Sequence, residues 1–289
     1  MQLLGVADYR EQSQRLAEQL GVRYEEVAVH RFPDGESIVT MPSELNEELV
    51  FCRSLDHPNS KLIELFLASK TARQQGVKRI TLVAPYLCYM RQDMAFHPGE
   101  AISQQIIGEW LGQLFDRIIT IDPHLHRIER LDQAVPSADS ITLSATGPMA
   151  EFLARRPNPP LLIGPDSESE QWVKHIAEQN QLEWLVASKE RFGDHKVEIT
   201  LPDYDFKDRI VVIVDDVAST GRTIARTAKA LKKAGAQTVN CLITHPLFSE
   251  DTEQVLANAC ITHVWSTDSI SHNTNVIQLA SLLAKALKR

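Results

Sequence analysis

Short runs of apolar residues alternate with amphipathic segments along the whole chain. LLGVA at 3–7 and RIVVIV at 209–214 are typical runs, and others lie at 79–85, 117–122, 160–164 and 238–244. Apolar residues at helical spacing lie between them, at 59–76, 101–115, 169–180, 222–235 and 275–287. Continuous apolar strands that alternate with amphipathic helices predict an α/β fold built on parallel sheets covered on both faces.

A shift of 160 residues reveals an internal repeat. RLAEQLGVRYEEVAVHRFPDGESIVTMP at 15–42 overlays HIAEQNQLEWLVASKERFGDHKVEITLP at 175–202 without a gap, including an R-F-x-D core. Chance similarity between two α/β segments is the alternative, but a match of this length favours duplication. We therefore predict two α/β domains, residues 1–145 and 146–289, each a mainly parallel, doubly wound sheet flanked by helices.

Composition narrows the class of protein. A hydrophobic fraction of 43% and a charged fraction of 24% are typical of a globular protein. No apolar run approaches the ~18 residues needed to cross a bilayer, and Asp8 and Arg10 come too early for a signal peptide. The four cysteines have no short pair spacing, which favours a reduced, cytoplasmic setting over zinc or disulfides. The net charge of −8 argues against a nucleic-acid surface.

The clearest chemistry lies in RIVVIVDDVASTGRTIART at 209–227. Its strand ends in Asp215 and Asp216, so both carboxylates reach the rim of the sheet. The following loop and helix start can offer an anion backbone N–H groups, a helix dipole, hydroxyl donors and a close-approaching glycine, from Ser219, Thr220, Gly221 and Thr223. A helix cap in a solvated turn is the alternative, but a cap needs only one such residue. We expect a phosphate monoester site whose carboxylates contact sugar hydroxyls or a magnesium ion bound to them.

DDVASTGRT resembles the ribose-5-phosphate loop of type I phosphoribosyltransferases, which implies two tandem phosphoribosyltransferase-like domains. Further motifs resemble ribose-phosphate pyrophosphokinases, nearly end to end and in the same order: FPDGE at 32–36, YMRQD at 89–93, PGEAIS at 98–103, IDPH at 121–124, GPD at 164–166, THPLFS at 244–249 and STDSI at 266–270. That family moves the β,γ-diphosphate of ATP to the 1-hydroxyl of ribose 5-phosphate. The resemblance implies this reaction in nucleotide biosynthesis, with Mg²⁺ as cofactor and AMP and phosphoribosyl diphosphate as products.

The resemblance also implies roles for individual residues. Lys189 and Arg191 match the catalytic pair, on a flap that closes over the transferred phosphates. The implied ATP-binding residues are Phe32, Asp34, Glu36, Arg91, Gln92, Asp93 and His124, with FPDGE supplied by a neighbouring subunit. The implied ribose 5-phosphate site comprises Asp215, Asp216, Ser219, Thr220, Gly221 and Thr223, and His124 and Asp166 are implied at the metal. A shared ATP site implies a homodimer or homohexamer. We expect neither nucleic acid nor a membrane as a partner.

Two departures from the family pattern keep alternatives open. Met94 and Ala95 replace the basic residues that follow RQD, and the acidic turn 167–170 replaces a glycine-rich one. Both keep open a non-catalytic regulatory homologue of the synthetase, but the intact Lys189, Arg191, Asp215 and Asp216 argue against it. A phosphoribosyltransferase that consumes the product is the other alternative. It would share the DDVASTGRT loop but would have no use for the duplicated domain, RQD or the Lys189 and Arg191 pair.

Overall fold

The computed structural model describes residues 1–125, 127–136, 138–192 and 196–288, without the side chains of 189–192 and 196–198. The chain forms two compact units. The first contains Met1–Ser144, Ser269–Ser271 and the segment from Leu279 onward, and the second contains Ala145–Asp268 and His272–Gln278.

A six-stranded parallel sheet forms the centre of the first unit. The strands of this unit are β1 (Gln2–Gly5), β2 (Tyr24–Glu26), β3 (Ala28–Arg31), β4 (Ser37–Thr40), β5 (Glu48–Cys52), β6 (Arg79–Val83), β7 (Arg117–Ile121) and β8 (Asp139–Leu143). The sheet order is β2-β1-β5-β6-β7-β8, while β3 and β4 form a separate antiparallel hairpin. The helices are α1 (Arg10–Leu20), α2 (Pro58–Gln74) and α3 (Ser103–Leu114).

The second unit repeats this topology. Its strands are β9 (Leu161–Gly164), β10 (Trp184–Val186), β11 (Ser188–Phe192), β12 (Lys196–Thr200), β13 (Ile210–Ala218), β14 (Thr238–Pro246), β15 (Val264–Thr267) and β16 (Asn275–Ile277). The parallel sheet has the order β10-β9-β13-β14-β15-β16, and β11 pairs with β12 as an antiparallel hairpin. The helices are α4 (Thr146–Ala154), α5 (Glu170–Asn180), α6 (Arg222–Lys233) and α7 (Thr252–Ala257). Two sheets of the same strand order confirm the predicted fold class, two parallel-sheet α/β domains with flanking helices.

The central strands carry the core because their apolar runs are buried on both faces. All four residues of β1 and of β9 are buried, as are four of the five residues of β5 and β6. A side chain of valine, leucine or isoleucine contributes about 1.5–3 kcal/mol when fully buried. Among the helices of the described residues, none is both long enough and apolar enough to cross a membrane.

The last helix corrects two expectations. The sequence predicts a helix over 275–287, but Asn275–Ile277 form β16 and the helix, α8, spans Ala280–Leu287. The Asn275 amide donates to the Thr267 carbonyl at 2.6 Å, which fixes this segment at the sheet edge. The end of the predicted domain 146–289 belongs to the first unit, because α8 packs on α1 and β8 of that unit.

The ends of α1 and α5 offer a matched test of the repeat. Gly21 ends α1 in the left-handed region at φ 69°, and the repeat places Gln181 at the end of α5 at φ 53°. A side chain with a Cβ is strained there, whereas glycine is not. We expect Gln181→Gly to raise the free energy of unfolding by about 0.5–1 kcal/mol and Gly21→Gln to lower it by a similar amount. Urea unfolding of both variants checks this, and a less stable Gln181→Gly protein would contradict it.

Candidate active site

The predicted anion loop lies between β13 and α6. β13 runs through Asp215 and Asp216 to Ala218, and α6 begins at Arg222. The first N–H groups of a helix have no acceptor within the helix, so they remain available to an anion. Ser219 and Thr223 are partly buried and Thr220 is exposed. The structure therefore brings the carboxylates, the hydroxyls and a helix start together along one continuous segment.

Packing from the following strand and helix braces this loop. The Thr252 hydroxyl donates to the Ser219 carbonyl at 2.5 Å, and the Ser249 N–H donates to the same oxygen at 3.2 Å. Gly221 has φ 65°, and a Cβ there would lie 3.0 Å from both Thr252 Cγ2 and Leu256 Cδ2. Glycine thus meets both a conformational and a steric requirement at this point of the loop. These contacts hold the loop in its shape.

Three carboxylates interact at the end of β9 and β13. Burial, together with the charges of Asp216 and Asp166, raises the pKa of Asp215 well above its ordinary value. Asp216 is buried, and one of its oxygens accepts the Val217 N–H at 2.7 Å. Carboxylates crowded in this way favour a bound cation or the hydroxyl donors of a sugar. Oxygen ligands of this type fit Mg²⁺.

The metal prediction remains a prediction. Among the side chains that the structure describes, no group of three or more from His, Cys, Asp or Glu is arranged to hold a metal ion. Of the two residues predicted at the metal, Asp166 is close enough to Asp215 to affect its pKa. His124 is partly buried beyond β7 and belongs to the first unit.

The acidic turn after Asp166 has a structural explanation. Ser167–Ser169 form one 3-10 turn that leads directly into α5, which begins at Glu170. Glu168 and Glu170 therefore lie at a helix start, where negative charge is favourable by about 0.3–1 kcal/mol. This departure from the family pattern is compatible with a helix N-terminus that acids stabilise.

A cavity in the first unit contains two of the predicted ATP-binding residues. Its volume is about 710 Å³, and its lining comprises Tyr89, Arg91, Gln92, Glu100, Ala101 and Ser103. Gln104 of α3 holds the loop above β6, because its amide donates to the Met90 carbonyl at 3.0 Å and its N–H donates to the Gln92 carbonyl at 3.1 Å. Arg91 and Gln92 are thus positioned by a helix at the carboxyl end of the sheet, where α/β folds bind ligands.

Asp93 has a partner that the sequence analysis did not identify. Arg127 Nη1 lies 2.6 Å from Asp93 Oδ1, and the Asp93 side chain is only 4% exposed while that of Arg127 is 52% exposed. Arg127 therefore places a cation beside RQD, near the position where Met94 and Ala95 replace basic residues. Its only sequence signal was an arginine shortly after IDPH.

The FPDGE motif forms the tip of the β3–β4 hairpin. The Phe32 N–H donates to the Glu36 carbonyl at 2.8 Å, and the Glu36 N–H donates to Asp34 Oδ1 at 3.1 Å. Phe32 is 39% exposed. Among the described residues that line the cavity of Arg91 and Gln92, none comes from this tip.

The predicted catalytic pair lies on the equivalent hairpin of the second unit. The backbones of Lys189 and Arg191 pair with Ile199 and Val197 of β12. Their side chains lie outside the described part of the chain. The roles of Lys189 and Arg191 therefore stay predictions.

The first unit has an arginine where the second has its acidic pair. β5 corresponds to β13 in the sheet order, and the registers on β1 and β9 make Arg53 the counterpart of Asp215. The Arg53 side chain is only 1% exposed, and its Nη2 contacts Asp8 Oδ2 at 2.9 Å and Glu64 Oε2 at 2.6 Å. This copy of the site is filled by an internal ion network.

Comparisons with known proteins agree with this architecture. A family model described as the N-terminal domain of ribose phosphate pyrophosphokinase matches residues 1–114, and a phosphoribosyl transferase domain model matches residues 146–282. Ribose-phosphate pyrophosphokinase of Methanopyrus kandleri is 30% identical over 277 residues, 95% of this chain and 94% of that protein. The Thermoplasma acidophilum protein of the same name is 32% identical over 271 residues, 92% of each chain.

A solved structure has the same fold. Phosphoribosylpyrophosphate synthetase from Mycobacterium smegmatis superposes with a TM-score of 0.83 and 21% identity, covering 99% of this chain and 97% of that one. Two tandem parallel-sheet domains, one with an acidic pair ahead of an anion loop, define a protein of the phosphoribosyltransferase fold. The chain belongs to the ribose-phosphate pyrophosphokinase family, and it is a diphosphotransferase of that family. The resemblance in its motifs is thereby confirmed.

Proposed function

We propose that the chain transfers the β,γ-diphosphate of ATP to the 1-hydroxyl of ribose 5-phosphate, with Mg²⁺ as cofactor. The observation that carries this proposal is the Asp215–Asp216 pair directly ahead of the anion loop, in a chain whose relatives match it over nearly its whole length. The products are AMP and phosphoribosyl diphosphate.

The sugar phosphate occupies the second unit. The loop hydroxyls of Ser219, Thr220 and Thr223, together with the start of α6, bind the 5-phosphate. Gly221 lets the backbone approach the phosphate oxygens closely. Asp215 and Asp216 accept hydrogen bonds from the ribose hydroxyls, because crowded and buried carboxylates gain from such donors.

The nucleotide is bound by residues of the first unit. Arg91 and Gln92 line the cavity beyond β6 and Asp93 lies beside them, while the exposed ring of Phe32 offers a stacking surface for adenine. The exposed hairpin tip is absent from the lining of that cavity, which supports a tip supplied by a second copy of the chain. Sharing of ATP sites in this way would require a homodimer or homohexamer.

The reaction requires positioning and charge neutralisation more than covalent help from the protein. The 1-hydroxyl oxygen bonds to the β-phosphorus, the bond from that phosphorus to the α–β bridging oxygen breaks, AMP leaves with that oxygen, and the hydroxyl proton is released. Lys189 and Arg191 stabilise the negative charge on the transferred group, one as a compact charge and one as a planar fork. Asp166 in the second unit and His124 in the first would each offer a ligand to Mg²⁺, which would supply further neutralisation of phosphate charge.

A coupled assay tests the proposed function. Purified protein receives Mg²⁺, ATP and ribose 5-phosphate, and AMP and phosphoribosyl diphosphate are quantified by chromatography. We expect both products in equal amounts and a loss of both when EDTA removes the metal. No AMP above a control without sugar would contradict the proposal.

The same assay separates the alternatives. A phosphoribosyltransferase would instead consume added phosphoribosyl diphosphate in the presence of a nucleobase. A regulatory homologue would be inactive with either set of substrates.

Asp216→Asn tests the sugar site, because it keeps the shape of the side chain while removing its charge.

A further inference from the structure

One buried carboxylate holds both strands of the β3–β4 hairpin. Glu64 Oε1 lies 2.7 Å from Arg31 Nε and accepts the Ser37 hydroxyl at 3.3 Å, while Glu64 Oε2 accepts Arg31 Nη2 at 3.3 Å. Arg31 and Ser37 face each other in the hairpin register, at the last pair before the FPDGE tip. α2, through Glu64, therefore holds the hairpin at the base of its tip.

The same carboxylate is anchored in the core of its unit. Its side chain is 1% exposed, and it also accepts a hydrogen bond from Arg53 Nη2 at 2.6 Å. Burial opposes ionisation of Glu64, but the hydrogen bonds from Arg31 and Arg53 outweigh it and lower the pKa of Glu64. Glu64 is thus charged at neutral pH and contacts two arginines, the buried Arg53 and Arg31 of the hairpin.

The second unit differs at the helix that corresponds to α2. α6 corresponds to α2 in chain order, and its sequence RTIARTAKALKK contains no acidic residue. A carboxylate in the position of Glu64 is therefore present on α2 and absent from α6.

We propose that Glu64 is a positioning residue for nucleotide binding, acting through Arg31 to fix the FPDGE hairpin against its own unit. The inference rests on the proposed function, in which the hairpin tip contacts ATP. An untethered hairpin must lose conformational entropy when ATP binds, so the affinity for ATP decreases. Binding of ribose 5-phosphate and the chemical step use other residues and stay unchanged.

Arg31→Gln is the direct test, because the Arg31 side chain is 51% exposed and its replacement leaves no new buried cavity. We expect the Kd for ATP, from calorimetry, and the KM for ATP to rise about tenfold, the loss of one charged hydrogen-bonding partner. We expect kcat and the KM for ribose 5-phosphate to stay within about twofold of wild type. Arg31→Lys, which keeps the charge without the planar fork, should recover part of the affinity.

Arg10→Gln is the matched control. Arg10 is 52% exposed and forms a two-pronged pair with Glu26 in the same unit, at 2.6 and 2.9 Å, but on a carboxylate that is 30% exposed. ATP binding by this variant should equal that of the wild type. Glu64→Gln should weaken ATP binding as Arg31→Gln does.

Amide hydrogen exchange measures how firmly the β3–β4 hairpin is held, and it requires no catalytic activity. Amides of the β3–β4 ladder should exchange faster in nucleotide-free Arg31→Gln than in wild type or Arg10→Gln. Unchanged exchange, or unchanged affinity for ATP, would overturn the proposal. If the wild type releases no AMP, the proposed function fails, and calorimetry with ATP still decides whether Glu64 positions the hairpin.

Discussion

Lys189→Ala should lower turnover of ATP and ribose 5-phosphate by about 10²–10³-fold, the effect of removing one group that stabilises charge in a transition state. The fold should be unaffected, because Lys189 lies on the separate β11–β12 hairpin. The KM values should change much less than kcat, because the ammonium group gains most of its interaction when charge develops on the transferred phosphates. Steady-state assays of AMP release, with circular dichroism as the test of folding, measure both.

Lys196→Ala is the control for this prediction. Lys196 lies on the partner strand of the same hairpin, opposite Phe192, and the resemblance gives it no role. Turnover by the Lys196→Ala variant should stay close to that of the wild type. Near-wild-type activity of Lys189→Ala would instead make Lys189 an ordinary exposed charge.

Arg53→Ala should lower the free energy of unfolding of the first unit by about 3–5 kcal/mol. The substitution removes a buried guanidinium and leaves the carboxylates of Asp8 and Glu64 without their shared partner. Losing one member of a buried ion network is costly because the remaining charge stays desolvated. Urea unfolding followed by circular dichroism measures the loss, and hydrogen exchange at β5 assigns it to the first unit.

The pH dependence of this loss has a defined sign. Burial raises the pKa values of Asp8 and Glu64, but contacts with cations outweigh it: Arg53 and Lys61 for Asp8, and Arg31 and Arg53 for Glu64. The pKa of Asp8 therefore lies below its ordinary value of 3.8, and that of Glu64 below its ordinary value of 4.5. The stabilisation is therefore present above those ordinary values and lost as pH falls through the folded-state values. Wild type and Arg53→Ala should differ most near pH 7 and least near pH 2.

Arg209→Ala is the control for Arg53→Ala. Arg209 pairs with Glu183, and both side chains are at least one-third exposed. Exposed pairs contribute about 0–1 kcal/mol, so this variant should unfold close to the wild-type midpoint. A similar loss in both variants would show that burial of the Arg53 network is not what stabilises the first unit.

The sequence predicted those features that depend on neighbouring residues. β13 and α6 were predicted within a few residues, because a continuous apolar run ends in two aspartates and a glycine precedes an amphipathic segment. The repeat of 15–42 at 175–202 was visible in the sequence as a shift of 160 residues. The helices α1 and α5 differ in position by the same shift. The candidate sugar-phosphate site could therefore be predicted as a unit.

Features that depend on distant residues could not be predicted. Val276, Leu279 and Leu283 have helical spacing, but pairing of β16 with β15 overrides that preference at Asn275–Ile277. The Arg31–Glu64–Arg53 network joins three segments whose charges look like ordinary surface residues in the sequence. The pair of Arg127 and Asp93 likewise requires two loops that follow different strands.

The position of α8 has a consequence for synthesis on the ribosome. The N-terminal unit needs α8, which packs on α1 and β8 through buried residues that include Ala280, Leu283 and Ala284. That helix is translated only after the whole second unit. Domains usually fold in order as they emerge. Here the unit that is made first must wait with part of its apolar surface uncovered, and the unit that is made second can be completed before it.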